Sequence, residues 1–246
     1  MNRILITHDE LLPDGIVTLT DYRAEHIRSV LKARVGDEVK TGILNGLIGS
    51  STVEGIDEHH VVLRTHHTDQ PLEPWFDLLL AVPRPKVLKR LLSQLAALGV
   101  GRLVLLNACK VEKCYFSSQW LDPVHTTPLL VEGLMQAGTT RLPEVVIKER
   151  FKPFMEDELD ALFPNALRLL AHPGEVMGHQ WALVEGQLPL LAVGPEGGWT
   201  DYELDQFLKR DFMPFSLGSR SLRTDTATIA LIAVLHERMS NFSLKS

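Results

Sequence analysis

The chain is poor in cysteine, with two in 246 residues, Cys109 and Cys114. They lie five apart with no second pair, which excludes a disulfide framework and a four-ligand zinc site and fits a reducing cytoplasm. No apolar run approaches the roughly 18 residues of a transmembrane helix. The opening segment "MNRILITHDELLPDG" lacks a basic start followed by an apolar core, so no signal peptide is expected. An excess of positive charge is also lacking. The formal net charge is −6, which leaves no overall electrostatic footprint for nucleic acid, so any RNA contact must come from a local basic patch. There is no internal repeat, no GxGxxG or Walker A loop and no GxSxG elbow. What is present is an ordinary globular composition, 45% hydrophobic and 23% charged.

The character of the chain changes near residue 70. "GDEVKTGILNG", "LIGSSTVEGI" and "HHVVLRTHH" are short β-type runs between glycine and acidic turns. "DYRAEHIRSVLKARVG" reads as one helix with Ile27, Val30 and Leu31 on a common face. Residues 1–70 therefore predict a small β-barrel-like module, and the polar "TDQPLEP" at 68–74 predicts a linker. His59, His60, His66 and His67 crowd this module, but adjacent strand residues point to opposite faces, so no metal site is expected. From residue 75 to 246, apolar runs such as "FDLLLAV", "RLVLLNA" and "LPLLAV" alternate with helical stretches. Uninterrupted apolar strands between helices predict an α/β domain with a mostly parallel sheet and helices on both faces. Ligands in such sheets bind at the carboxyl ends of the strands.

Two stretches carry the chemistry. In "LPLLAVGPEGGWTDYELDQFLKR" a strand meets a glycine turn and then a helix, with Thr200 and Glu203 at capping-box spacing and the helix starting at Asp201. Glycine loops at helix starts usually cradle phosphate, yet Glu196 at the centre would repel one. A neutral or cationic ligand, such as a nucleoside bearing a sulfonium, suits the loop better; alternatively Glu196 only holds the turn. In "FSLGSRSLRTDTATIALIAVLHERM", Arg220 and Arg223 precede a helix that starts near Thr224 or Asp225 and is apolar nearly all round. The arginines either clamp a polar substrate or RNA phosphate or simply lie on the surface. The helix belongs in a core or against a second subunit.

"GPEGGWTDYE" followed by "LGSRSLRTDTA" closely resembles the paired signature of the RsmE family, bacterial methyltransferases acting on N3 of one uridine in small-subunit ribosomal RNA. "LAALGVGRLVLL", "MQAGTTRLPEV" and "LLAHP" (residues 169–173) are similar to further family segments. The resemblance implies a SPOUT-type domain with a trefoil knot, an N-terminal PUA-like RNA-binding domain, a homodimer and S-adenosylmethionine as cofactor. It assigns cofactor binding to Leu170, His172 and Pro173, to Gly194, Pro195, Glu196, Gly197 and Gly198, and to Leu217, Gly218, Ser221, Leu222 and Arg223. A packing role for His172 stays open.

Uridine N3 is protonated at neutral pH, so catalysis requires its deprotonation and a cation beside the resulting anion. On family motif positions Arg223 is the first choice for that cation and Arg141 the second, with Glu196 or Asp225 to take the proton. Arg84, Lys86, Lys89, Arg90, Lys110 and Lys113 are the candidate contacts to 16S rRNA or the small ribosomal subunit. Departures from the family pattern fall at Ala97 and Met135, where a carboxylate is usual, and at Asp225, one methylene shorter than glutamate. They leave open a divergent SPOUT-fold protein with another RNA target or no catalytic activity.

Overall fold

The structure, a computed structural model, describes residues 2–174, 184 and 186–243. It divides into two compact units. The first comprises residues 1–74 together with 93–97 and 128–142, and the second holds the remainder.

In the first unit, β1 (Ile4–Ile6), β2 (Ile16–Leu19), β3 (Glu38–Ile43), β4 (Ile48–Ile56) and β5 (Val61–Asp69) form a five-stranded sheet in the order β1-β3-β4-β5-β2. Only β1 and β3 pair in parallel; the other pairs are antiparallel. Alternation along the strands buries Ile4, Ile6, Val17, Leu19, Val39, Val53, Val61 and Leu63. The helix α1 (Tyr22–Glu25), running into a π-helical turn at His26–Val30, adds Ala24 and Ile27 to this core. It is shorter than its sequence suggests. Lys32 takes a left-handed backbone with φ of 52°, which ends the helix, so Val30 and Leu31 are 65% and 45% exposed rather than sharing the face of Ile27. Asp21 caps its start through the Arg23 N–H. Buried Arg23 donates to the Leu5 carbonyl at 2.7 Å and to carboxylate oxygens of Asp21 and Glu10.

The second unit is built on β6 (Phe76–Ala81), β7 (Val100–Leu106), β8 (Glu144–Lys148), β9 (Leu167–Ala171), β10 (Pro189–Val193) and β11 (Met213–Phe215). Their order is β11-β9-β10-β6-β7-β8, and every pair is parallel. The connections carry α2 (Pro85–Leu98), α3 (Pro123–Ala137), α4 (Phe151–Pro153), α5 (Leu159–Leu162) and α6 (Asp201–Leu208), and α7 (Thr224–Ser243) follows β11. Full burial of Leu78–Leu80, Leu103–Leu106 and Leu190–Ala192 explains the unbroken apolar runs. The chain first steps outward through β6, β7 and β8. It then returns to the other side of β6, with β10 filling the place beside it and β11 beyond β9. Gly99 ends α2 in a left-handed backbone with φ of 88°, where a Cβ would stand 2.9 Å from Trp75 Cδ1. The indole N–H of Trp75 donates to the Leu98 carbonyl at 2.6 Å.

Portions of α2 and α3 thus group with the N-terminal sheet. Asn2 and Arg3 donate their N–H groups to the Met135 carbonyl at 3.0 and 3.1 Å. The Arg3 guanidinium bonds the carbonyls of Gly138, Thr41 and Gly49 at 2.9, 2.6 and 2.8 Å. Met135 is 4% exposed, with the Tyr22 hydroxyl 3.7 Å from its sulfur. A glutamate there would place a charge in this apolar contact, so Met135 fits its local packing.

Two outcomes follow from these contacts. A Cβ at Gly133 would lie 2.1 Å from the Ser93 carbonyl oxygen, so Gly133→Ala forces the two helices apart and should cost about 1–3 kcal/mol in chemical denaturation. Hydrogen bonds from Arg23 hold the Glu10 carboxyl at about 2, below its ordinary 4.5. A depressed folded-state pKa contributes stability above the unfolded value, and that contribution disappears as pH falls from about 4.5 toward 2. Thermal unfolding of Glu10→Gln should therefore be lower than wild type at pH 6, with the difference closing through that window. A difference that stays constant down to pH 2 would remove Glu10 as its source.

Candidate functional site

Because all six strands are parallel, β9, β10 and β11 deliver their carboxyl ends to one edge of the sheet. The three loops leaving them enclose a cavity of about 340 Å³. The first loop is Ala171–Pro173. The second is the glycine turn Gly194–Gly198, where the Gly198 N–H closes on the Pro195 carbonyl at 2.8 Å and Gly198 has a φ of 70°. The third runs from Leu217 to Leu222, with Gly218 at a φ of 108° and its N–H on the Ser216 hydroxyl at 3.0 Å. Side-chain bulk is excluded at Gly194, where a Cβ would meet the Trp199 ring at 3.0–3.3 Å.

Past the glycine turn, α6 begins at Asp201 with the capping box its sequence spells. Thr200 accepts from the Glu203 N–H at 3.3 Å, and Glu203 accepts from the Thr200 N–H at 2.8 Å. Glu203 is only 2% exposed, and its other carboxylate oxygen accepts the Cys109 N–H at 2.7 Å. Trp199, 6% exposed, packs edge-on against Phe207 with centroids 4.8 Å apart. Its indole nitrogen is buried with no hydrogen-bond partner among the described residues. Phe215, Ala227 and Leu231 contribute apolar side chains to the lining.

Of the residues expected around the cofactor, His172, Pro173, Gly194, Pro195, Glu196, Gly197, Gly198, Leu217, Gly218, Ser221 and Leu222 line this cavity. Leu170 lies one residue inside β9, 2% exposed, and Arg223 is exposed; neither is in the lining. Arg220 lines it in place of Arg223. Arg141 belongs to the other unit, where it pairs with Glu73 at 2.7 Å and reaches the Asn45 carbonyl at 3.3 Å. Glu196 is exposed, and one of its oxygens accepts the Arg84 backbone N–H at 3.3 Å. The sequence reading missed Val193, Trp199, Phe215, Thr224, Ala227 and Leu231. The last three follow i, i+3, i+7 spacing on α7, a signal visible in the sequence.

The basic candidates are all exposed residues of the second unit, and several are engaged. The Lys89 ammonium sits 4.7 Å from the Trp120 ring centroid. Arg90 pairs with Asp225, the shortened acid at the start of α7. Lys110 donates to the Gly197 carbonyl at 2.7 Å. Lys86 and Lys113 extend from the same two segments. Among the described residues no three His, Cys, Asp or Glu gather as a metal site, and no helix is long and apolar enough to cross a membrane.

The parallel sheet thus carries, at one edge, a cavity whose lining combines main-chain groups of the strand-end loops, one carboxylate, one guanidinium and apolar side chains. The family model for the RNA methyltransferase domain matches residues 70–236, which gives the class. Ribosomal RNA small subunit methyltransferase E of Treponema pallidum is 30% identical over 243 residues, spanning 96% of this chain and 90% of that protein. Methyltransferase E 1 of Borreliella burgdorferi is 27% identical, spanning 98% and 100%. The chain belongs to the RsmE family of RNA methyltransferases. The crystal structure of the Neisseria gonorrhoeae methyltransferase E bound to S-adenosyl methionine shares the fold, with a TM-score of 0.76, 20% identity and coverage of 96% and 97%.

The cap and the crowded glycine make a stability prediction. Gly194→Ala must displace the Trp199 ring by a few tenths of an ångström, and Thr200→Ala removes the cap. Each should lower the denaturation midpoint by the equivalent of about 1 kcal/mol, and an unchanged midpoint would count against the packing or cap in question.

Proposed function

We propose that this chain is a cytoplasmic, S-adenosylmethionine-dependent methyltransferase that modifies N3 of one uridine in 16S rRNA. The observation that carries this reading is the cavity built by the glycine turn and its two neighbouring strand-end loops, whose Glu196 suits a sulfonium and whose Arg220 leaves the lining without net charge for a neutral nucleoside. The residues present fit that cofactor. The turn Gly194–Gly198 brings main chain to the cavity, Phe215 and Leu231 add apolar side chains, and the indole N–H of Trp199 has no acceptor among the described residues. His172, Pro173, Gly194–Gly198, Leu217, Gly218, Ser221 and Leu222 would hold it. Bound there, S-adenosylmethionine would supply an electrophilic methyl group.

The chain's own residues must do the rest. The uridine has to be unpaired or extruded, since N3 lies on the Watson–Crick edge. Arg223, exposed at the start of α7, is assigned to the anion that forms on the base, with Arg220 beside it in the cavity lining and Arg141 as the second choice. Glu196 is assigned the proton, its exposure allowing transfer through water. Arg84, Lys86, Lys89, Arg90 and Lys113 would meet RNA phosphates. The return of the chain from β8 to β9 and the place of β10 between β9 and β6 support threading of the SPOUT type. We also assign a PUA-like, RNA-binding role to residues 1–70, a knotted catalytic domain to 75–246, and a homodimer formed through α7. The buried, packed setting of Met135 speaks against reading its departure as a lost active-site acid.

The test is methyl transfer from labelled S-adenosylmethionine to small ribosomal subunits lacking the modification, with naked rRNA in parallel. Primer extension should stop at one uridine, because an N3 methyl blocks pairing. Arg223→Ala should lower turnover at least about 100-fold, as expected for loss of a transition-state electrostatic contact, with cofactor affinity nearly unchanged. Cofactor binding without incorporation into either RNA would favour a different target, and absence of binding would defeat the assignment of the cavity.

A further inference from the structure

The glycine turn is gripped from outside by the segment that follows β7. The Lys110 ammonium lies 2.7 Å from the Gly197 carbonyl oxygen. Its stem lies along the turn, since a Cβ on Gly197 would be 2.9 Å from Lys110 Cδ and 3.4 Å from its Cβ. One residue earlier, the Cys109 N–H donates to buried Glu203, whose second oxygen takes the N–H and hydroxyl of Thr200 at 2.8 and 2.9 Å. Residues 109 and 110 therefore hold the turn on either side of left-handed Gly198.

The peptide plane between Gly197 and Gly198 is pinned at both poles. Its N–H closes on the Pro195 carbonyl at 2.8 Å, and its carbonyl accepts from Lys110. A planar trans peptide turns as one unit, and a glycine–glycine peptide has little steric barrier to adopting another turn type. A flip would reverse the main-chain dipole beside the cavity. We propose that Lys110 is a positioning residue of the glycine loop, holding this peptide in the orientation that binds cofactor, rather than a contact to RNA phosphate. The proposal rests on the reading of the cavity as the S-adenosylmethionine site.

Lys110→Met keeps the stem over Gly197 and removes the donor. Calorimetry should show S-adenosylmethionine affinity falling about tenfold, the scale of one hydrogen bond from a charged group, with the thermal midpoint unchanged and Lys110→Arg recovering most of the loss. Binding to naked 16S rRNA should keep its salt dependence. In the ligand-free protein, amide hydrogen exchange over 194–200 should speed up, and Glu203→Gln, which sets an amide nitrogen against an N–H donor, should act in the same direction. The proposal is overturned if Lys110→Met binds the cofactor like wild type while the slope of log affinity against log salt drops by about 0.7–0.9, the signature of one lost phosphate contact. If wild type itself binds no S-adenosylmethionine, the functional reading fails. Loop exchange in the free protein then decides the clasp alone, and unchanged exchange refutes it.

Discussion

All described strands of the second unit run the same way, so their carboxyl ends lie on one edge of the sheet. That single constraint places three loops, distant in sequence, around one cavity. The loops need no common motif; each needs only to turn tightly at the strand end. Gly198 and Gly218 supply left-handed backbone where the turns require it, and Gly194 keeps clear the space beside Trp199. The apolar strands behind them hold the frame rigid, and main-chain groups placed by such a frame are pre-organised for a polar ligand.

Local signals in the sequence mapped well onto local structure. Buried parallel strands are apolar on both faces, so "FDLLLAV" and "LPLLAV" stood out, and Thr200–Glu203 spelled the start of α6. Features set by distant partners did not show. Strand order depends on pairings such as β10 between β9 and β6, which no window of sequence contains. The early end of α1 turns on the left-handed backbone of one lysine, Lys32, a residue type that does not advertise it. Val193 and Phe215 looked like plain strand residues, yet as the last of their strands they border the cavity. In the irregular segment before α7, Arg220 lies on the lining and Arg223 does not, a distinction finer than motif matching resolves.

The basic residues illustrate a related point. On an acidic chain they look like a ready surface for RNA, but Lys89 rests on Trp120, Arg90 on Asp225 and Lys110 on a loop carbonyl. The Lys89 and Arg90 contacts are of the individually weak, surface kind, so they can be exchanged for phosphate at small cost, whereas Lys110 is committed to the glycine turn. Their effect in the free protein is to order long side chains that would otherwise sweep solvent. Asp225 then has a role that its shorter side chain does not diminish, since it both favours the N-terminal end of α7 and tethers α2 to it.

The bonds from Asn2 and Arg3 to Met135 and Gly138 bear on how the protein is made. Chain growth supplies β1 first, but the carbonyls that satisfy its leading residues are synthesised more than a hundred residues later. At translation speeds of roughly 5–20 residues per second, the first unit waits on the order of ten seconds for its final segment. During that interval β1 to β5 emerge without α3, and the N–H groups of Asn2 and Arg3 lack the Met135 carbonyl. The N-terminal unit is thus completed only after part of the parallel sheet has already left the ribosome.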